Sequence, residues 1–302
     1  MKVAERLIVL PKKKDNKYKF QAIILEEKCS KNSYNGKILG RKLADWVAFA
    51  CNGLPVKILQ YDSNTAVLDF VKDHIDNSYD YTLVLLSKTP LLQGETIKNI
   101  MEYCSVKDSQ LCKLPVGYVV DNIAIKTKEL TVDSIYTQNL DDFYVVEKKP
   151  EFVYAEDVWQ DRINSFHISN GVDIIKPKSV LIEPEVDIAS GVIVYSGNVI
   201  KGQTIIGKNT ILKENNVIDN CRIGNDCCVS GSVVTNSTLS DTVYVSAFCE
   251  ITESKVGQDS VIGGSCKINN FTIKNETKIA PNTVLGDNND SDCGIGKSGK
   301  NL

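Results

Sequence analysis

Histidine is almost missing from this chain, with only His74 and His167 among 302 residues. That scarcity removes the commonest general base from most of the sequence. It also excludes a three-histidine zinc centre of the carbonic anhydrase kind. No C-x-x-C pair occurs among the ten cysteines, and Cys227 and Cys228 are adjacent. The opening residues, Met1 to Arg6, lack the apolar core of a signal peptide. The thiols therefore read as reduced and mostly buried, and the expected location is cytoplasmic. Long apolar runs are absent too, so no membrane span is expected. A net charge of −3 leaves no electrostatic footprint for nucleic acid. The one basic cluster, Lys12, Lys13, Lys14, Lys17 and Lys19, reads as a solvated loop between apolar runs at 7–10 and 20–25.

What is present is a period. From Ile182, apolar residues recur every six positions: Ile188, Val194, Ile200, Ile206, Leu212, Ile218. Small or β-branched residues often fall four positions later, as at Val186, Val192, Thr204 and Thr210. The frame slips at Ile223, Leu239, Val256 and Ile273 and resumes each time. Six-residue spacing fits neither an amphipathic helix nor simple strand alternation. It fits a coil with three short flat faces, the apolar residue pointing inward and stacking like on like. Glycines after the apolar residue (Gly207, Gly224, Gly257, Gly263) are expected at tight corners where side chains would crowd. With coils about 4.8 Å apart, six of them give a rod on the order of 30 Å long.

Ahead of the repeat, Trp159, Ile163 and Phe166 share one face of a connecting helix over 156–167, with Asn170-Gly171 as its stop. The N-terminal half alternates strands (20–25, 56–60, 81–86) with helices (41–50, 66–75, 96–104), which implies a parallel sheet covered on both faces. Between 111 and 150 the pattern gives strands at 116–120 and 143–147. The expected fold class is thus α/β plus all-β. The expected domains are a Rossmann-like α/β domain at 1–155, a junction at 156–178 and a β-helix at 179–302.

Several segments resemble the bifunctional UDP-N-acetylglucosamine pyrophosphorylase family, in which a uridyltransferase domain precedes a β-helix acetyltransferase. They are the junction Asp161-Arg162-Ile163-Asn164 through Gly171 to Pro177, the frame slips, Ala22-Ile23-Ile24-Leu25, Val84 to Leu92, and Asn122-Ile123-Ala124-Ile125. The resemblance implies a left-handed rod, assembly as a homotrimer, and a degenerate nucleotidyltransferase domain. On the matching positions it implies a ligand-binding set of Leu25, Glu26, Lys28, Ser87, Lys88 and Asn122, with a nucleotide sugar as the ligand class.

The residues that carry the family's chemistry differ here. After its first strand the family has a glycine-rich phosphate cradle; this chain has Glu26-Glu27-Lys28-Cys29-Ser30-Lys31. The family's Mg²⁺ aspartate corresponds to Lys88, which cannot ligate the metal. Lys88 reads as a surface lysine at a strand end, or as a cation replacing the metal against a phosphate. In the rod, the family's arginine, lysine and catalytic histidine correspond to Thr252, Asn269 and Pro281, and proline transfers no proton. The chain ends near Leu302, before the coils that supply the family's coenzyme A groove, so a truncated member is expected. Neither Mg²⁺ nor coenzyme A is expected as a cofactor, and no catalytic or metal residue is assigned. The reading is a pseudoenzyme that binds, regulates or scaffolds. The alternatives are an active nucleotidyltransferase with an altered phosphate site, and a plain trimerisation module for a protein partner. The Cys221/Cys227 pair reads as stacked core, and Tyr195 and Phe248 as packing residues between rods.

Overall fold

The computed structural model describes residues 18–28, 36–62, 64–127 and 130–286. The apolar run at 7–10, most of the basic cluster, the segment 29–35 and the tail after Gly286 lie outside them. The chain divides into two units, with the division between Trp159 and Gln160.

The N-terminal unit is an α/β layer. Its elements are β1 (Phe20–Glu27), α1 (Leu43–Ala50), β2 (Val56–Tyr61), α2 (Val67–Lys72), β3 (Tyr81–Leu86), α3 (Gly94–Lys107), β4 (Leu111–Lys113), β5 (Tyr118–Asp121), α4 (Ala124–Thr127) and β6 (Ser134–Ile135). The sheet order is β2-β1-β3-β5-β4-β6. β1 pairs in parallel with β2 and β3, joined by helical crossovers. Alternate residues of β1 supply two apolar clusters, with Phe20, Ala22 and Ile24 in one and Ile23 and Leu25 in the other. That two-sided burial explains why β1 and β3 read as unbroken apolar runs.

The sheet is mixed, which corrects the expectation of a parallel one. β5 runs antiparallel to both β3 and β4. The cause is local: a turn closed by the Leu114 N–H to the Gly117 carbonyl, 3.1 Å, joins β4 to β5. A connection that short permits only an antiparallel pair. The strand expected at 143–147 is also corrected. Leu140–Phe143 is a 3-10 turn, drawn inward because the buried Asp142 carboxylate accepts hydrogen bonds from Gln93 (3.0 Å) and from the Thr96 hydroxyl. The connecting helix α5 (Lys149–Ser169) begins seven residues before the expected start, read directly from the two boundaries. Its buried stripe is Phe152, Ala155, Trp159, Ile163 and His167, with Phe166 only half-buried. Trp159 stacks on Trp46 at 3.9 Å and donates its indole N–H to the Pro90 carbonyl at 3.0 Å.

The C-terminal unit is a left-handed parallel β-helix. Among the described residues, two of its faces carry seven strands and the third six; the first strand, Asp173–Ile174, precedes the expected start at 179. Ile182, Ile200, Ile218, Val234, Ile251, Ile268 and Leu285 stack in one interior column through in-register parallel pairs. The frame slips are shortened corners. The corner Lys201-Gly202-Gln203-Thr204 becomes Asp219-Asn220-Cys221, with Asn220 left-handed (φ 52°), and the stacking register is unchanged. A further shortening, between Val229 and Val234, escaped the periodicity. Asparagine and aspartate hold many of the left-handed corner positions because their short polar side chains tolerate it. Inside one corner, Asn216 donates to Asn198 Oδ1 at 3.0 Å and to the Lys213 carbonyl at 2.7 Å, so these buried amides are satisfied.

The corner glycines answer to crowding, as expected, and its source is the neighbouring coil. Gly207, Gly224, Gly257 and Gly263 do not have a positive φ; a β-carbon there would strike the next coil, at 2.4 Å from the Asn275 nitrogen for Gly257. Coil spacing, not turn geometry, excludes a side chain. Gly257→Ala is therefore expected to cost about 1–3 kcal/mol in denaturant unfolding. Gly264→Ala, whose nearest contact is 3.3 Å, is expected to cost less.

Candidate functional site

Ligands of open α/β sheets bind at the carboxyl ends of parallel strands. β1 and β3 end together because Leu25 pairs with Leu86. Glu26, Glu27 and Lys28 therefore emerge beside Ser87 and Lys88. Leu25 is buried, and its carbonyl accepts the Ser87 N–H at 2.9 Å. The Lys28 N–H donates to the Tyr61 carbonyl at 3.0 Å, while the Gln60 amide donates to Glu26 Oε2. Five of the six expected site residues thus share one edge.

Asn122 does not join them. The reversal of β5 puts Asp121 opposite Tyr81, so Asn122 lies at the far end of the sheet. There its Nδ2 donates to the Tyr79 carbonyl at 2.8 Å and its Oδ1 accepts from Thr82 Oγ1 at 2.6 Å. Gln21 donates in turn to Thr82 at 2.9 Å. In this structure Asn122 fastens strand starts.

The centre of the edge is Lys88. Its Nζ lies 2.8 Å from Glu147 Oε1 and 3.9 Å from Glu27 Oε1. Glu27 Oε1 also accepts the Tyr61 hydroxyl at 2.9 Å. Burial, with Glu27 beside it, pushes that phenol up to about 12, so Tyr61 remains a protonated donor at neutral pH. The Val146 N–H donates to the Lys88 carbonyl at 2.8 Å, which fastens the segment carrying Glu147 against the end of β3. Glu151 then caps the start of α5, accepting the Glu147 and Lys148 N–H groups at 2.8 and 2.6 Å. The result is a cation already matched by two carboxylates. An incoming phosphate would have to displace Glu147 and would meet its charge nearby. Sequence reasoning missed Tyr61 and Glu147. Tyr61 was accessible through its register with Glu27, but Glu147 arrives from 59 residues away with no local signal.

In the rod, Thr252 pairs with Thr235 below and Asn269 above, and the Thr235 hydroxyl donates to that of Thr252 at 3.3 Å. Pro281 is exposed at the corner that leads into the opposite end of the same face. A single rod therefore does not bring Thr252 and Asn269 together with Pro281. Cys221 and Cys227 are buried with their sulfurs near backbone carbonyls, at 3.2 Å from Val234 and 3.0 Å from Ser240. Among the described residues no group of His, Cys, Asp or Glu is arranged to hold a metal, and no helix is long and apolar enough to cross a membrane.

Residues 208–297 match the family described as GlmU-like, C-terminal hexapeptide. The bifunctional protein GlmU of Clostridium perfringens is 39% identical over 171 residues, covering 56% of this chain and 38% of that protein. That of Caldicellulosiruptor saccharolyticus is 32% identical over 204 residues, covering 65% of this chain and 42% of that protein. The match thus spans less than half the length of each relative. Among solved structures, a GDP-perosamine N-acetyl transferase from Caulobacter crescentus, in complex with CoA and GDP-perosamine, is 13% identical with a TM-score of 0.26, covering 88% of this chain and 93% of that one. The acetyltransferase domain of PglB from Neisseria gonorrhoeae is 11% identical with a TM-score of 0.20, covering 88% and 97%.

The Lys88 cluster is largely solvent-facing, with the Glu147 side chain 54% exposed. Lys88→Ala is expected to shift the unfolding free energy by less than about 1 kcal/mol. A loss of several kcal/mol in denaturant titration would show the ion pair to be structural instead.

Proposed function

We propose that this chain is a pseudoenzyme of the GlmU-related family, a scaffold that has lost both uridyltransfer and acetyltransfer. The observation that carries the reading is the pairing of Lys88 with Glu147 and Glu27 at the strand ends where the family's nucleotide would sit. Uridyltransfer needs positive charge and open backbone N–H groups around the phosphates; this edge offers a neutralised cation and further carboxylates. Acetyltransfer needs a group that takes the acceptor's proton. Pro281 supplies none, and no histidine follows His167. Mg²⁺ and coenzyme A have no assigned ligands in this reading.

The test is turnover by the full chain. With UTP, N-acetylglucosamine 1-phosphate and Mg²⁺, pyrophosphate release is expected to equal the enzyme-free blank. With acetyl-coenzyme A and glucosamine 1-phosphate, thiol release is expected to do the same. Pyrophosphate release above the blank would instead establish the second reading, an active nucleotidyltransferase with an altered phosphate site.

The scaffold assembles, in this reading, as a homotrimer through the rod. Ring closure by identical chains needs two different patches on each copy, one for each neighbour. Two adjacent faces offer them. One carries Ile193, Ile211, Tyr244 and Val261 outward, the other Leu181, Val199, Val217 and Val233. The third face turns Asp187, Arg222 and Lys255 outward. At the corner shared by the two apolar faces stands Phe248, 81% exposed and left-handed at φ 65°, a conformation that costs a bulky residue energy. Light scattering is expected to give the mass of three chains. Phe248→Asp is expected to lower it with the circular dichroism spectrum retained. A monomeric wild-type chain would overturn the assembly.

A further inference from the structure

Two Asn-Gly pairs stand at the same kind of place in the fold. Asn52-Gly53 follows α1 and Asn170-Gly171 follows α5. Each glycine is left-handed, with φ 89° at Gly53 and 88° at Gly171, as a helix stop requires. All four residues are exposed. The third pair of the sequence, Asn35-Gly36, has its asparagine outside the described residues.

The two stops are held differently. The Asn170 side-chain amide donates to the Phe166 carbonyl at 2.7 Å. The Gly171 N–H donates to the Ile168 carbonyl at 3.1 Å, and the Gly171 carbonyl accepts the Gly191 N–H at 2.8 Å. A β-carbon on Gly171 would lie 3.2 Å from that of Ser190, so a coil of the rod packs against this stop. At the other stop, among the described residues, neither the Asn52 side-chain amide nor the Gly53 N–H has a hydrogen-bond partner. In an Asn-Gly pair the side-chain amide carbon and the next backbone nitrogen can close a five-membered ring, with no β-carbon on the glycine to obstruct it. A pair whose amide and nitrogen are both engaged must first give up those hydrogen bonds.

We propose that Asn52-Gly53 is a self-modification site, where the folded chain converts Asn52 to aspartate and isoaspartate while Asn170 is spared. Solvent hydroxide takes the Gly53 N–H proton, and that nitrogen attacks Asn52 Cγ. The N–Cγ bond forms, the Cγ–Nδ2 bond breaks, and the amide nitrogen leaves as ammonia after taking a proton from water. One water then opens the cyclic imide at either carbonyl. The products are aspartate, or an isoaspartate whose main chain runs through the β-carbon; both add a negative charge, and no electrons are exchanged. Isoaspartate also lengthens the main chain by a methylene between the buried Cys51 and the half-buried Leu54. Those two residues are tied by the Leu54 N–H to the Cys51 carbonyl at 3.0 Å. The next residue, Pro55, accepts the Ala22 N–H of β1 at 2.9 Å, so the isoaspartate product loosens the entry of β2 into the sheet.

The test ages the native full chain in mildly alkaline buffer and maps its peptides by mass spectrometry, with electron-transfer fragmentation to separate aspartate from isoaspartate. The expected result is replacement of the amide by a carboxylate at Asn52 about tenfold faster than at Asn170, where hydrogen bonds must break first. In denaturant the two sites are expected to convert at similar rates, which assigns the contrast to the fold. An Asn52 that stays intact, or equal rates at the two sites in the folded chain, would overturn the proposal. The isolated isoaspartate form is expected to exchange its Ala22 amide hydrogen faster than the unmodified chain. Unchanged exchange there would overturn the loosening of β2.

Discussion

In the C-terminal half, the strand N–H groups of one coil find their acceptors in the next coil, one parallel strand spacing away, while corner N–H groups such as those of Asn215 and Asp226 reach back to the coil before. The Val199 N–H reaches the Asn216 carbonyl and the Val217 N–H the Ser232 carbonyl, at 2.9 and 3.0 Å. Once that ladder is imposed, much else follows. Inward positions must stack with their own kind, so Ile, Val and Leu form continuous columns. Corners where successive coils approach within about a side-chain radius must be glycine. Many corners that need a left-handed residue use asparagine or aspartate. Residues can be lost at corners without disturbing the ladder, because the register is set by the strands.

The N-terminal unit answers to a different constraint, the need to satisfy polar groups where parallel strands end. In a phosphate-binding sheet, a ligand and its metal help to do that. Here the chain does it with its own side chains. Tyr61 donates to Glu27, Glu27 and Glu147 meet Lys88, and Glu151 caps the helix that follows. The edge that invites a ligand by topology is closed by local chemistry.

The rod was legible because its period is local: six residues suffice to see it, and each slip resumes in phase. The first three strands were legible for the same reason, being apolar runs between helices. What escaped the sequence was non-local. The direction of β5 depends on a turn around Gly117, and it moved Asn122 from the candidate site to the opposite end of the sheet. The run at 143–147 has strand composition, yet the pull of Gln93 and Thr96 on Asp142 makes its start a turn and frees Glu147 to reach Lys88. No sequence window contains both partners of that ion pair. The corner glycines were legible as crowded positions, but the source of the crowding, a coil about 17 residues away, leaves no trace beside the glycine.

In the proposed reading the strand-end edge satisfies its own polar groups and does not serve as a nucleotide phosphate site. Calorimetric titration of the full chain with UTP, in the presence and absence of Mg²⁺, decides the matter. No saturable heat is expected under either condition. Saturable, Mg²⁺-dependent binding that Glu147→Ala strengthens and Lys88→Ala abolishes would contradict it, because Lys88 would then be serving a phosphate and not its two carboxylates.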